Sequence, residues 1–357
     1  MNNDSSFLIL FLAPVKEFLE NDDVSEIMIN GPDQVYIEQK GRLQKTNARF
    51  PSEPALKAAA ANIAKSVGRL LNEDNPRLDA RLPDGSRVHA VIPPLCRCGT
   101  VIAIRKFKKD TLSIEKMLEY GSLSHEAMLL IKAAVRLHKN IIVSGATSSG
   151  KTSVLNVLSS FINDNERVLV IEDASELQLQ QEHVVSFETR KPDKNGNGEV
   201  TIRDLIISSL RLRPDRLVIG EIRSGEALDL LQALNTGHAG SMSTIHANSS
   251  LDCLFRLETC ALLSGVEIPL AALRAQVASA IDVVVQTARL SDGSRKIIGI
   301  SEVLPLKDGE YQTRDLLAWQ TSRITPDGVV EGAFALKNKP SFFEQAKIAQ
   351  LELPDFE

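Results

Sequence analysis

The chain has 357 residues, 43% of them hydrophobic and 24% charged, with a formal net charge of −5. That length predicts about two domains with substantial cores, and the composition is ordinary for a globular protein. The acidic balance argues against direct nucleic-acid binding, and no apolar run reaches the roughly twenty residues of a membrane span.

Phe7 to Phe11 begins an apolar stretch that Pro14 and Lys16 interrupt, and Met1-Asn2-Asn3-Asp4 lacks the basic flank of a signal peptide. The expected location is the cytoplasm, with any membrane association made through a partner. The four cysteines form no disulfide framework. Cys96 and Cys98 stand too close for a C-x-x-C metal knuckle, and Cys253 and Cys260 lie on a predicted helix where core packing explains them. Free, mostly buried thiols suit a reducing cytosol.

Residues 1–110 are expected to form a small α+β domain. The stretch from Ser25 to Asn30 alternates like a half-buried strand, Asn30-Gly31-Pro32-Asp33 turns the chain, and Gln34 to Glu38 returns. Glu53 to Val67 is Ala-rich with apolar residues at helical spacing. Arg81-Leu82 and the run from Arg87 to Val91 flank Pro83-Asp84-Gly85-Ser86, a hairpin signal, and Val101 to Phe107 completes a small mixed sheet. Arg105-Lys106-Phe107-Lys108-Lys109 is either a local basic patch or a solvated strand end.

Residues 111–123 turn polar, with Gly121 as a break, and are expected to link two domains. From 124 to 305 strands and helices alternate. Strands are expected at 140–144, 167–171, 184–187, 216–219 and 243–246, and helices at 151–161, 202–212, 225–234, 251–263 and 270–280. Such alternation gives a mostly parallel sheet flanked by helices, with ligands at the carboxyl ends of its strands. Val283-Val284-Val285 and the run from Ile297 to Val303 read as a hairpin extension across Ser291-Asp292-Gly293-Ser294. Residues 306–357 are weakly patterned and are expected to form a C-terminal extension around Trp319.

The chemistry concentrates at strand ends. Gly145-Ala146-Thr147-Ser148-Ser149-Gly150-Lys151-Thr152 completes the pattern G-x-x-x-x-G-K-[ST] between the apolar run Ile141-Ile142-Val143 and a helical pattern that starts at Lys151. Strand, Gly-rich turn and helix N-terminus aim backbone N–H groups and the positive end of the helix dipole at one point, where a phosphate chain sits. A Gly/Ser-rich surface turn would explain the letters but neither flank. Lys151 would reach the terminal phosphates and the Thr152 hydroxyl would hold Mg²⁺, so Gly145 to Ser153 is the expected nucleotide cradle.

Hydrolysis also needs a metal-water network, a group that orients the attacking water, and positive charge on the transition state. After Val168-Leu169-Val170-Ile171 come Glu172, Asp173 and Glu176. Glu176 is a candidate acceptor for the lytic water, and Glu172 or Asp173 would bind Mg²⁺ through water; the alternative is a solvated acidic loop. Leu217-Val218-Ile219-Gly220-Glu221 is a strand ending in an acid, with Gly220 where such motifs often carry Asp, so Glu221 must serve the metal-water shell. In the segment from Thr236 to Asn248, His238 and His246 flank a Gly-rich, hydroxyl-rich strand. A lone histidine is usually structural, but one at a strand end near the γ-phosphate could report ATP against ADP.

In this order, these segments resemble the secretion ATPases, the superfamily that powers type II and type IV secretion, type IV pili and conjugation. The family's P-loop, Asp box, Walker B and His box match Gly145 to Thr152, Ile171 to Glu176, Leu217 to Glu221 and Gly237 to Asn248. Arg211-Leu212-Arg213-Pro214-Asp215-Arg216 and Gly225-Glu226-Ala227-Leu228-Asp229 are similar to the family as well. The segments from Val24 to Pro32, Asp79 to Val88 and Gly198 to Leu205 look most like the Tad/Flp pilus-assembly ATPases, with the conjugation ATPases of type IV secretion next.

The resemblance implies an α/β fold: a RecA-like P-loop ATPase domain preceded by a smaller α+β PAS-like domain. It implies a hexamer, with nucleotide between the two domains and beside the neighbouring subunit. It assigns phosphate and Mg²⁺ binding to Lys151 and Thr152, water activation to Glu176, the Walker B role to Glu221 and the sensor role to His246. Arg87 and Arg105, then Arg211 and Arg223, are the candidates for charge stabilisers. ATP and Mg²⁺ are the implied cofactors, and an inner-membrane platform protein of a pilus or secretion machine is the implied partner. Three departures stand out. Longer members carry a helical region before the PAS-like domain, where this chain has little before residue 14, so adaptor contacts of that region are expected to be missing or made elsewhere. Ala239 stands where an acidic residue is common, and no zinc-binding tetracysteine module is present, which counts against the main type II branch. Two other classes can use a P-loop. One is a small-molecule kinase, with the loop from Arg190 to Gly198 posing as its lid; the other is a nucleotide-gated scaffold without turnover.

Overall fold

The computed structural model describes residues 11–39, 41–82, 84–107, 112–192 and 196–356. Phe7 to Leu10 of the apolar stretch, Pro83 of the hairpin turn, Lys108 and Lys109 of the basic run, the first linker residue Thr111, and Asp193 to Asn195 of the lid-like loop lie outside them. The chain divides into two compact units, Met1–Asp110 and Thr111–Glu357.

The first unit runs α1 (Lys16–Glu20), β1 (Val24–Asn30), β2 (Val35–Gln39), β3 (Arg42–Lys45), α2 (Glu53–Ser66), β4 (Arg77–Arg81), β5 (Arg87–Val91) and β6 (Val101–Arg105). Its strands form one sheet in the order β3-β2-β1-β6-β5-β4. Every neighbouring pair is antiparallel, so the sheet is not the mixed one expected. The reason is topological: β6 slots between β1 and β5 and runs against both. Strand β3 escapes periodicity because all four of its residues are exposed. On one face Ile27, Ile29, Val88, Ala90, Ile102 and Ile104 are buried with Leu56, Ala59, Ala60 and Ile63 of α2. Ser52 caps that helix by accepting from the Ala55 N–H. The register aligns Arg81 with Arg87 and Arg87 with Arg105, a row of three arginines on the other face.

The second unit runs α3 (Ile114–Glu119), α4 (His125–Arg136), β7 (Ile141–Gly145), α5 (Lys151–Ser159), β8 (Val168–Glu172), β9 (Val184–Glu188), α6 (Ile202–Ser209), β10 (Arg216–Ile222), α7 (Glu226–Asn235), β11 (Met242–Ile245), α8 (Ser250–Leu262) and α9 (Leu270–Ala280). It closes with β12 (Val283–Arg289), β13 (Arg295–Lys307), β14 (Glu310–Ile324), β15 (Val330–Leu336) and α10 (Phe343–Ile348). One nine-stranded sheet holds them in the order β15-β14-β13-β12-β7-β11-β10-β8-β9. From β12 to β9 the neighbours are parallel, and β12 to β15 form an antiparallel meander.

Each expected strand and helix between 140 and 303 is present. The sequence reading lacked α4, which buries Ala127, Leu130, Ile131, Ala134 and Val135, and it lacked β14 and β15. Central strand β7 is buried along its whole length, as expected for a parallel strand covered on both faces. Ile141 and Val143 join one apolar cluster with Leu155 and Leu158, whereas Ile142 joins another with Leu231 and Leu254. Among the described residues, no helix is long and apolar enough to cross a membrane.

Candidate nucleotide site

Strand β7 has β11 on one side and β12 on the other, although the chain visits β8, β9 and β10 first. This is a topological switch point, and the parallel strands around it end on one edge. The P-loop leaves β7 there. A Cβ on Gly145 would lie 2.5 Å from Ser149 Oγ and from the Thr287 carbonyl, so no larger residue fits. Gly150, at φ +97°, lets α5 begin at Lys151. Ser149 Oγ is 2.8 Å from Thr287 Oγ1, which donates to the Ser144 carbonyl at 3.0 Å and fastens the loop to β12. From β13, Arg295 Nε donates to the Ser148 carbonyl at 2.9 Å. Neither Thr287 nor Arg295 carries a motif, and only the sheet order brings them to the loop. Ala146, Thr147 and Ser148 are exposed, while Thr152 and Ser153 sit half-buried in the first turn of α5.

Lys151 is buried and lies back across the loop, donating to the Gly145 carbonyl at 3.2 Å and the Ala146 carbonyl at 3.0 Å. Its Nζ is also 3.3 Å from His246 Nδ1 and 3.4 Å from Nε2. His246 follows β11 and places Nε2 2.7 Å from Glu221 Oε1, out of line for a hydrogen bond, so that buried oxygen lacks a donor. The other oxygen of Glu221 accepts from Arg223 at 2.6 Å, and Arg223 also donates to Asp173 Oδ2 at 3.0 Å. Lys151, His246, Glu221, Arg223 and Asp173 thus form one unbroken series across the ends of β7, β11, β10 and β8. Burial, and then the Lys151 ammonium, push His246 below its ordinary 6.5, which leaves a neutral imidazole. The Glu221 hydrogen bond, followed by the charges of Asp173 and Glu176, holds Arg223 above its ordinary value.

Glu172, expected to serve the metal-water shell, turns one of its two oxygens to the backbone. It is buried, and its Oε1 accepts from the backbone N–H of Glu176 at 2.9 Å and of Leu177 at 3.0 Å. Its carboxylate shapes the loop that carries half-buried Glu176. A Cβ on Gly220 would lie 3.0 Å from Glu172 Cγ, which accounts for glycine where an Asp was the common choice. Thr244 donates to the Gly220 carbonyl at 2.7 Å and ties β10 to β11 at the site.

Two residues expected at the nucleotide lie elsewhere in this unit. His238 precedes β11 and Arg211 precedes β10, so both stand at the amino-end edge of the sheet, opposite the P-loop. His238 faces the Ala233 carbonyl at 3.3 Å, at the end of α7, and Arg211 is exposed. A motif read linearly cannot tell one end of a strand from the other, and about four strand residues span some 13 Å. Arg87 and Arg105 belong to the first unit.

Among the described residues, no three His, Cys, Asp or Glu side chains converge as a metal site. A magnesium ion here would rely on the Thr152 hydroxyl and phosphate oxygens, with carboxylates acting through water. The donorless Oε1 of Glu221 suits such a water.

A family model described as "Type II/IV secretion system protein" matches residues 11–316. The chain belongs to that family. The superfamily resemblance read from the four motifs is therefore borne out. Among relatives of this secretion-family chain, the type IV secretion system protein PtlH of Bordetella pertussis is 32% identical over 310 residues, covering 80% of this chain and 91% of PtlH. The type IV secretion system protein VirB11 of Bartonella quintana is 30% identical over 337 residues, covering 84% and 94%. Among solved structures, the Legionella pneumophila ATPase DotB matches with a TM-score of 0.57 at 18% identity, covering 86% of this chain and 80% of DotB. The pilus retraction motor PilT with bound ADP matches at 0.54 and 17%, covering 96% and 86%. These structural likenesses establish a shared α/β fold.

Proposed function

We propose that this secretion-family protein is a motor ATPase that binds Mg–ATP on Gly145 to Ser153 and hydrolyses it to drive a pilus or secretion machine. The observation that carries the reading is the contact series from Lys151 through His246, Glu221 and Arg223 to Asp173. It joins the phosphate lysine to the acids of two further motifs, as hydrolysis requires and a mere nucleotide-binding turn does not.

The residues fit the substrate. Gly145 keeps the loop base free of any side chain, and Lys151 rests on loop carbonyls that a phosphate would replace as partners. Bound Mg–ATP supplies the transferable γ-phosphoryl group and a metal-held water shell. Thr152 and Glu221 serve that shell, with Asp173 beyond it. Glu176 accepts the hydrogen bond of the attacking water. Neutral His246 offers a ring N–H to the terminal phosphate, and Arg223 balances Glu221 and Asp173 until the substrate redistributes the charge. Arg87 and Arg105 belong to the same proposal as charge stabilisers, supplied by their own chain or by a neighbour.

The second unit is read as RecA-like, and the first as a PAS-like domain. The working form is read as a hexamer in the cytoplasm, acting on an inner-membrane platform protein. The segments from Val24 to Pro32 and Asp79 to Val88 support Tad/Flp-type pilus assembly, whereas the names of PtlH and VirB11 support type IV secretion. Deleting the gene and scoring surface pili against substrate export separates these two.

Phosphate release from ATP without added acceptor tests the activity itself. Lys151→Ala is expected to abolish it, and Glu176→Gln to keep ATP binding while losing on the order of 10²-fold or more in turnover. Parent-rate turnover by Glu176→Gln would remove the water-activation role. Release that appears only with an added acceptor would replace the motor with a kinase.

A further inference from the structure

We propose that Cys96 and Cys98 are a dithiol redox site that hydrogen peroxide closes to an intrachain disulfide. The four cysteines divide sharply. Cys253 and Cys260 are buried, and burial pushes both thiols up. Cys98 is exposed and Cys96 half-buried, in the loop that joins β5 to β6, and their sulfurs are 3.0 Å apart.

A disulfide has an S–S length of about 2.05 Å, so closure needs about 1 Å of approach. The loop can supply it without disturbing the sheet. Its flanks are pinned, with Ile92 N–H on the Pro76 carbonyl at 3.0 Å, Thr100 N–H on Glu53 Oε1 at 2.6 Å and Gly31 N–H on the Thr100 carbonyl at 3.0 Å. Between those pins Pro94, Leu95, Arg97 and Cys98 are exposed. Cys98 is pushed up because it donates to Cys96, and the nearby Glu53 charge acts in the same direction. The resting Cys98 thiol therefore holds its proton.

The chemistry balances with one peroxide. A thiolate attacks the O–O bond, giving a sulfenic acid and releasing water after protonation. The neighbouring sulfur then attacks the sulfenyl sulfur and expels a second water. Two S–H bonds and one O–O bond are consumed, and one S–S bond and two waters form. A ring closed across a single intervening residue is strained, which places the disulfide among the readily reduced, reversible kind. In a reducing compartment such bonds are transient and sensing rather than structural. The loop lies at the Val91–Val101 end of the β5–β6 ladder, whereas Arg87 and Arg105 close the other end. Within the first unit the dithiol thus stands at the opposite end of the ladder from Arg87 and Arg105.

The test uses the full chain under native conditions with a chromogenic disulfide reagent. Two thiols should react in the resting protein, and neither after brief hydrogen peroxide treatment and desalting. The intact mass should fall by about 2 Da with no gain of oxygen, and dithiothreitol should restore both thiols. Cys253→Ala combined with Cys260→Ala should leave this pattern unchanged, while Cys96→Ser should abolish the mass loss. Persistence of both thiols after peroxide, a chain-to-chain disulfide on a non-reducing gel, or stable oxygen adducts in the parent chain would each overturn the proposal.

Discussion

Lys151 and His246 meet at 3.3 Å, and two positive charges that close repel strongly unless water screens them. The site resolves this by keeping His246 neutral. The consequence for pH follows from its direction. The unfolded chain protonates His246 near 6.5, whereas the folded chain resists until lower pH. Stability linked to this group is therefore intact above 6.5, declines as pH falls below it, and is lost once pH passes the folded value. His246→Gln should flatten this acidic decline in melting temperature between about pH 7 and pH 5, leaving only the slope set by the carboxylates. Parallel curves for parent and variant would show that the imidazole does not titrate differently on folding. The same residue shows what local sequence carries. Lys151 is announced by the G-x-x-x-x-G-K-[ST] pattern, Glu221 by the apolar run of β10, and His246 by its place after the hydroxyl-rich β11. Thr287 and Arg295 have no such signal, since their place at the P-loop follows from sheet order alone. Glu172 stands in the chain as one of three acids, and only the fold shows that one of its oxygens accepts from backbone N–H groups.

The far edge of the second unit's sheet is organised by a charge with no part in the chemistry. Arg216, fully buried at the start of β10, pairs with Glu166 and donates to the Gly240 carbonyl at 2.9 Å and the Val135 carbonyl at 3.0 Å. It thereby joins β10, the loop before β8, the end of α4 and the turn into β11. A side chain on Gly240 would collide with the guanidinium, so that glycine of the His box is structural. Arg216→Met should cost about 3–5 kcal/mol because Glu166 is left charged and buried without its partner. At this size that corresponds to a fall in Tm on the order of 10 °C. Adding Glu166→Gln should recover part of the loss, and a double variant no more stable than the single would show that the carbonyl contacts, not the orphaned charge, set the penalty. Elements with strong periods were readable at this scale: β7, β8 and β10 as apolar runs, α2 and α8 by helical spacing. Exposed β3 and the polar outer half of β14 offer no period, and pairing direction in the first sheet depends on contacts distant in sequence.

At the scale of the whole molecule, the proposed hexamer makes a claim that no single-site variant tests. If a motor couples its subunits, one dead subunit should silence more than its own share of work. Lys151→Ala is suited to this, because it removes the phosphate lysine while the loop remains fastened to Thr287 through Ser149 and to Arg295 through Ser148. Equal mixing of parent and variant chains, allowed to exchange, leaves only about one ring in sixty-four entirely parent if six positions fill at random. ATPase activity at equal mixing should therefore fall well below one half, and the fall should be steepest at the first additions of variant. Light scattering on the same samples should report a six-chain particle whose size is unchanged by the substitution. A strictly proportional loss would mean that each chain hydrolyses alone, and the contact series from Lys151 to Asp173 would then describe a self-contained ATPase rather than one station of a ring.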